Sequence, residues 1–230
     1  MQFENYLVLE DILTIPIEEV RSKHETYGLE RLLKRSIDVI FSLSIIIFIT
    51  SWLFPIIAIL SKLDSKGSVF FFQERIGLNN KIFLCWKLRT MYENSDSLGF
   101  KATERKDSRV TKLGAFLRKT NLDELPQIIN VLLGDMSLVG PRPQAIPFYE
   151  EYKEYVEDID LRHVVKPGLT GYAQIKGLRG DSPDENENKK RIWKRFECDI
   201  WYIENWSLTL DIKILFSTVL VVINGDKNAY

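Results

Sequence analysis

One stretch dominates the pattern of apolar and polar residues. From Val39 to Ser61, VIFSLSIIIFITSWLFPIIAILS, there is no charged residue. As a helix this run reaches about 35 Å, enough for a bilayer core of about 30 Å. A buried soluble helix of that length without charge is uncommon. The run starts well inside the chain and lacks a small-residue cleavage site, which argues against a signal peptide. Pro55 lies within it and deprives the Ser51 carbonyl of its partner, so a bend is expected there, with Thr50 and Ser51 supplying local hydrogen bonds. Cations flank both ends: Arg31, Lys34 and Arg35 before, Lys62, Lys66 and Arg75 after. Charge bias therefore gives a crossing no direction. A helix that enters the bilayer, breaks at Pro55 and returns to the same face satisfies both observations.

Downstream the pattern shortens. Ser68 to Gln73 and Lys81 to Met91 read as strands around a Gly77-Leu78-Asn79-Asn80 turn. Residues 93 to 108 are polar and read as a loop. Val110, Leu113, Phe116 and Leu117 mark a short helix ending at Arg118-Lys119. Asn121 then caps a second short helix, with Glu124 at capping-box spacing and Pro126 in the first turn. Leu125, Ile128, Ile129, Leu132 and Leu133 form its buried stripe, and Gly134 stops it. Residues 147 to 160 predict an amphipathic helix. Lys166 to Gly171 is turn-rich. An acidic entry leads to a helix whose buried face is Ile192, Phe196, Ile200 and Ile203. The uncharged stretch 214 to 223 is too short to span and suits an interfacial or a core helix. The fold class expected is α+β, mostly helical, with a small β-hairpin or sheet, an N-terminal re-entrant membrane helix and interfacial amphipathic helices. Residues 1–30 read as an arm, 31–66 as the membrane helix-break-helix and 67–230 as one catalytic domain.

Composition narrows the chemistry. The 230-residue chain has a net charge of −1, so bulk electrostatics favour no partner. Between Gln73 and Thr120, however, eleven Lys or Arg face five acids. Such a block can be a solvated face, bind nucleic acid, or sit on anionic lipid and phosphate. The apolar run upstream favours lipid and phosphate over nucleic acid. Two cysteines without a CxxC pair exclude a disulfide framework and a structural zinc site, and suit a reducing, cytoplasmic setting. The two histidines, His24 and His163, stand at no metal-ligand spacing. Carboxylate chemistry is easier to build from this chain than histidine chemistry.

The carboxylates of interest are Asp123 and Glu124, adjacent in a first turn. They diverge by about 100° around a helix, which suits separate roles better than one shared proton. Acids in a first turn also simply complement the helix dipole. Val139-Gly140-Pro141-Arg142-Pro143 follows, where two prolines fix the backbone on both sides of one arginine. That is how a cation is held still for an anion. Lys87 and Arg89 fall on one strand face, two residues apart. Arg118, five residues before Asp123, is within reach of the same place.

The ordered set Asp123-Glu124-Leu125-Pro126-Gln127, Gly134-Asp135-Met136-Ser137 and Gly140-Pro141-Arg142-Pro143 resembles the core of the bacterial sugar transferases, the monotopic phosphoglycosyl transferases. Lys87-Leu88-Arg89-Thr90-Met91 is similar to a strand of that family. The segment from Tyr202 to Ser207, with the remainder to Tyr230, resembles its hexose-1-phosphate branch. The resemblance covers about Leu32 to Tyr230. Larger members carry further N-terminal membrane helices and a nucleotide-binding-like domain, and this chain resembles only their C-terminal catalytic part. Leu178 and Arg179 stand where some members have Gly-Arg-Asn, a departure in the sugar-binding loop.

The resemblance implies transfer of a hexose-1-phosphate from a UDP-sugar to polyprenyl (undecaprenyl) phosphate, with release of UMP. Asp123 would be the nucleophile, forming a covalent phospho-sugar carboxylate. Glu124 would assist a metal or act as base, and Asp123 with Glu124 would hold Mg²⁺. Arg142, Arg118, Lys87, Arg89 and Arg179 would bind substrate. A place on the cytoplasmic face of the inner membrane, a possible homodimer and downstream glycosyltransferases as partners complete the expectation. Two other readings are weighed against it. Asp158-Ile159-Asp160 is a DxD pattern, which in a membrane-associated glycosyltransferase would transfer sugar alone and release UDP. A non-enzymatic membrane-anchored interaction module would turn over no nucleotide.

Overall fold

In the computed structural model, which describes residues 28–93, 107–156, 158–182 and 184–223, the apolar run lies within one helix from Gly28 to Asp64. Its first part is α1, Gly28–Ile45. A π turn, Ile46–Thr50, joins it to α2, Ser51–Asp64. The interruption expected at Pro55 thus falls about a turn earlier, and Pro55 sits inside α2. The physical reason is the one anticipated. Pro55 cannot donate to Ser51, so the ladder upstream widens to satisfy itself. Thr50 Oγ1 donates to the Ile46 carbonyl at 3.1 Å and Ser51 Oγ to that of Ile47 at 2.6 Å. Trp52 Nε1 donates to the Phe48 carbonyl at 2.8 Å.

The hairpin is shifted from its sequence signal, since the first strand runs on to Ile76 and the second stops at Leu88. Strands β1, Phe70–Ile76, and β2, Ile82–Leu88, pair antiparallel from Phe70↔Leu88 to Ile76↔Ile82. The connecting turn carries Asn79 and Asn80 in the left-handed region, which asparagine tolerates better than most residues. Next comes α3, Lys112–Lys119, capped by the Thr111 side chain on the Gly114 N–H at 2.9 Å. Gly114 is required here, because a Cβ would lie 2.0 Å from the Thr90 carbonyl oxygen. That approach lets α3 lean on the end of the hairpin. Leu117 is buried, whereas Phe116 is exposed.

The second short helix divides in two. Leu122–Glu124 is a 3₁₀ turn and α4 is Gln127–Leu133, with Pro126 as its N-cap. Asn121 is left-handed at φ 57° and makes no side-chain cap, so the expected capping box is absent. Ile128 and Val131 are the buried apolar residues of α4, whereas Leu133 is 66 % exposed. Gly134 ends the helix in the left-handed region as expected.

Strand β3, Ser137–Val139, pairs parallel with β4, Gly168–Thr170. Between them lie α5, Ile146–Lys153, and a 3₁₀ turn, Ile159–Val164, in place of the single helix expected over 147–160. The last elements are α6, Tyr172–Ile175; α7, Glu185–Glu204; and α8, Leu208–Ile223. The predicted face of α7, Ile192, Phe196, Ile200 and Ile203, is buried in the main core with Ile128, Val131, Met136 and Tyr202. Among the described residues the fold is mostly helical, with two two-stranded sheets. The expectations for residues 1 to 27, for 94–106 of the polar loop and for the chain after 223 lie outside the described residues.

Both ends of the long helix are tied to this one body. Lys34 donates to the Val139 carbonyl at 2.9 Å and pairs with Asp211 of α8. Arg35 donates to the Val131 and Leu132 carbonyls at 2.6 and 2.7 Å, completing the open C-terminal turn of α4. Asp38 accepts from Ser137 Oγ and the Leu138 N–H at 3.1 and 2.9 Å. At the far end, Asp64 accepts from the Leu113 N–H of α3 at 3.2 Å. Ile57 packs in a small cluster with Leu88 and Leu117. The middle of the helix exposes Ile47, Phe48, Trp52 and Ile56.

Candidate active site

Asp123 and Glu124 sit on the 3₁₀ turn and have opposite surroundings. Glu124 is 8 % exposed and holds three cations. Lys87 Nζ is 3.3 Å from its Oε1. Arg142 donates to both carboxylate oxygens, Nη1 to Oε2 at 2.9 Å and Nη2 to Oε1, a fork that only arginine supplies. Arg179 Nη2 reaches Oε2 at 3.1 Å. Burial alone would raise the Glu124 pKa, but Arg142, Lys87 and Arg179 hold it well below the usual carboxylate range.

Asp123 has no side-chain hydrogen-bond or ion-pair partner among the described residues. Burial first, and the Glu124 charge second, raise its pKa, while Lys87, Arg118 and Arg142 oppose them from a distance. The two adjacent carboxylates thus differ in their surroundings. One is saturated with cations and the other faces the cavity without a partner.

That cavity is about 740 Å³. Every predicted site residue except Pro55 lines it: Asp123, Glu124, Arg142, Arg118, Lys87, Arg89 and Arg179. Arg118 donates from Nε to Thr90 Oγ1 at 2.8 Å, the result of the close approach at Gly114. Arg89 does not join Glu124. Its guanidinium turns to the end of α2, donating to the Ser65 carbonyl at 2.9 Å, to Lys66, and to Ser61 at 3.3 Å. It closes the C-terminal turn of the membrane helix while keeping one side on the cavity.

The Pro-Arg-Pro segment is held more firmly than its two prolines alone would hold it. Three successive carbonyls each accept from a different element. The Pro141 oxygen accepts from the Gly168 N–H at 2.9 Å, that of Arg142 from Arg162 Nη2 at 3.2 Å, and that of Pro143 from Arg75 Nη1 at 2.5 Å. Arg162 is buried and paired with buried Asp199 on α7. Gly140 has to be glycine, since a Cβ would meet the Lys166 carbonyl oxygen at 2.4 Å. Sequence reasoning missed Arg162 and Asp199 and gave Arg75 only a flanking role. Nothing local marks them, because they act through backbone oxygens of a distant segment.

The DxD pattern serves the fold. Asp160 accepts from the Tyr149 hydroxyl at 2.5 Å and lies 3.6 Å from His163 Nδ1. Ile159, buried between the two aspartates in sequence, is the member of the pattern that lines the cavity. Among the described residues no cluster of three or more His, Cys, Asp or Glu is arranged for a metal.

The chain matches the bacterial sugar transferase family over residues 29–225 and belongs to it. It is 48 % identical over 193 residues to the UDP-glucose:undecaprenyl-phosphate glucose-1-phosphate transferase of Escherichia coli (strain K12), covering 84 % of this chain and 40 % of that protein. It is 42 % identical over 203 residues to the exopolysaccharide production protein PSS of Rhizobium leguminosarum bv. phaseoli, covering 86 % of this chain and 99 % of that protein. It is 39 % identical over 193 residues to a UDP-N-acetylgalactosamine-undecaprenyl-phosphate N-acetylgalactosaminephosphotransferase of Aeromonas hydrophila, at 84 % of this chain and 44 % of that protein. The chain thus spans about two fifths of the length of the Escherichia coli relative.

Proposed function

We propose that this chain transfers a hexose-1-phosphate, glucose-1-phosphate first among candidates, from a UDP-sugar to a polyprenyl phosphate, and so begins a membrane-linked glycan. The observation that carries the reading is the pairing at the 3₁₀ turn. A carboxylate without a partner, Asp123, stands beside a carboxylate that gathers Lys87, Arg142 and Arg179. The substrates for which the relatives are named supply the substrate class.

The difficulty in this reaction is charge, since an anionic nucleophile must attack an anionic diphosphate. Cations fixed before the substrate arrives remove that difficulty without reorganisation. Arg142, locked by its three backbone contacts, and Lys87, Arg118 and Arg179 take the phosphate oxygens. Asp123 Oδ bonds to the sugar-bearing phosphorus as the bond from that phosphorus to the UMP oxygen breaks, and the electron pair leaves with UMP. An oxygen of the lipid phosphate then attacks the same phosphorus, and the Asp123 carboxylate is released. Glu124 keeps the cations assembled between these steps. Its lowered pKa suits an anchor rather than a base.

A resident metal cage would need more carboxylates than this site has, but Mg²⁺ is commonly held by one or two carboxylates together with substrate phosphates. Asp123, which has no side-chain partner among the described residues, fits that use, whereas both oxygens of Glu124 are already taken by Arg142, Lys87 and Arg179. The ion would neutralise diphosphate charge when bound. Pinning both ends of the long helix to one body supports a helix that enters the bilayer and returns, with the domain on the cytoplasmic face where UDP-sugars are made. The exposed side of α8, including Phe216 at 71 %, suits the interface.

The test is to incubate the protein with polyprenyl phosphate and a panel of UDP-sugars and identify the nucleotide released. UMP and a lipid diphospho-sugar are expected. UDP, or no nucleotide, would overturn the reading.

A further inference from the structure

Part of the cavity wall is apolar. Phe70, Phe71, Leu88 and Met91 line it near Arg89, whose guanidinium closes the end of α2. The two faces of the hairpin divide the work. On one face Phe70 packs edge-on against Phe54 of α2 and against Trp86, each at 5.9 Å. This joins the hairpin to the long helix. On the other face Phe71 pairs directly across the strands with Lys87. Side chains of such a pair stand on the same side with Cβ atoms about 5 Å apart. Phe71 remains 40 % exposed, although the same face carries the buried Arg75 and Cys85. Lys87 in turn reaches Glu124 at 3.3 Å, next to Asp123.

An exposed aromatic ring beside a half-buried lysine, on a hairpin that packs against the long helix through Phe70, matches an amphiphile with an apolar tail and a phosphate head. We propose that Phe71 and Lys87 form the acceptor-lipid subsite. The first isoprene units of a polyprenyl phosphate lie across Phe71, and the phosphate is taken by Lys87 within reach of Asp123. A soluble nucleotide-sugar has no use for an apolar step between the bilayer and the cation. This assignment rests on the phosphoglycosyl transfer reading for its ligand, but it is tested by binding and does not depend on turnover.

The experiment measures equilibrium binding of farnesyl phosphate, farnesol and inorganic phosphate to the full chain in nanodiscs, for wild type, Phe71→Ser and Phe71→Leu. Wild type is expected to bind farnesyl phosphate more tightly than either fragment. Phe71→Ser should weaken farnesyl phosphate about tenfold and leave inorganic phosphate unchanged, and Phe71→Leu should restore most of the loss, since apolar contact and not ring shape is needed. A further arm measures UDP-glucose binding, which Phe71→Ser should not move. Equal affinity of wild type and Phe71→Ser for farnesyl phosphate would overturn the subsite. So would a loss confined to UDP-glucose, which would make Phe71 a base-stacking residue. If binding follows the expected pattern while no UMP is released, the subsite stands and the transfer reading fails.

Discussion

Arg162 donates to the main-chain oxygen of Arg142 at 3.2 Å, so one arginine fixes the backbone of another. Asp199 holds the first in turn. In the proposed reaction, the cation that meets the diphosphate is thus aimed by a buried ion pair. Arg142→Ala should cost about 2–4 kcal/mol of transition-state stabilisation. Arg142→Lys should recover little, because a fork becomes a point charge. Asp199→Asn should lower stability by roughly 3–5 kcal/mol, because it leaves a buried guanidinium without its counter-ion. Steady-state rates and unfolding midpoints of the three variants check this. An Asp199→Asn protein of wild-type stability would show that the pair does not hold the segment.

Glu124 gathers three cations, and its removal should expose their mutual repulsion. In Glu124→Gln, Lys87, Arg142 and Arg179 face one another without a counter-charge. The unfolding temperature should drop, and added phosphate should raise it by more than it raises that of wild type. Thermal unfolding across a phosphate series measures the difference. Identical phosphate responses in the two proteins would count against the anchoring role.

His163 gives a pH signature. Burial, helped by the neighbouring Arg162 charge, lowers its pKa from 6.5 to about 4, and its Nδ1–H donates to Asn80 Oδ1 at 2.5 Å in the hairpin turn. The unfolded chain takes up this proton near the ordinary value and the folded chain only near pH 4. Between those values the unfolded state binds more protons, so stability falls as pH drops from about 6.5 to 4. His163→Gln should flatten that part of the profile. Denaturant midpoints at a series of pH values decide it, and an unchanged slope in the variant would assign the loss to other groups.

The long helix should leave both ends on one side of the membrane. Lys34 is bonded to Val139 and Asp64 to Leu113, parts of one folded body. Single cysteines at Leu29 and Lys66, in a background lacking Cys85 and Cys198, report their side through an impermeant thiol reagent applied to intact cells. Both should stay protected until the membrane is opened. Labelling of the Leu29 site from outside would establish a crossing.

Much of this was legible in the sequence where the cause is local. The uncharged run, the hairpin, the Gly134 stop and the buried face of α7 follow from periodicity and turn chemistry. The adjacency of Asp123 and Glu124 and the fixed Arg142 were legible as a pattern of residue types. What sequence could not show is assembly at a distance. Asn121 reads as a cap, but tertiary packing takes the turn through a left-handed residue instead. Arg89 and Lys87 read as equivalent partners on one strand face. The strand ends at Leu88, and Arg89 turns to the end of α2 while Lys87 turns to Glu124. The π turn precedes Pro55 because the wider turn forms where Thr50 and Ser51 can bond back to the preceding carbonyls.

In the proposed reaction Asp123 is the nucleophile. Its carboxylate must be ionised to attack, and burial beside Glu124 raises its pKa, so formation of the intermediate should slow as pH falls, starting above the ordinary carboxylate range. The direct measurement is mass spectrometry of wild type and Asp123→Asn after incubation with UDP-glucose and no lipid acceptor. Wild type should gain one hexose-phosphate on the peptide containing Asp123, with UMP released, and Asp123→Asn should gain nothing. An adduct on another residue, or turnover by Asp123→Asn, would contradict the account.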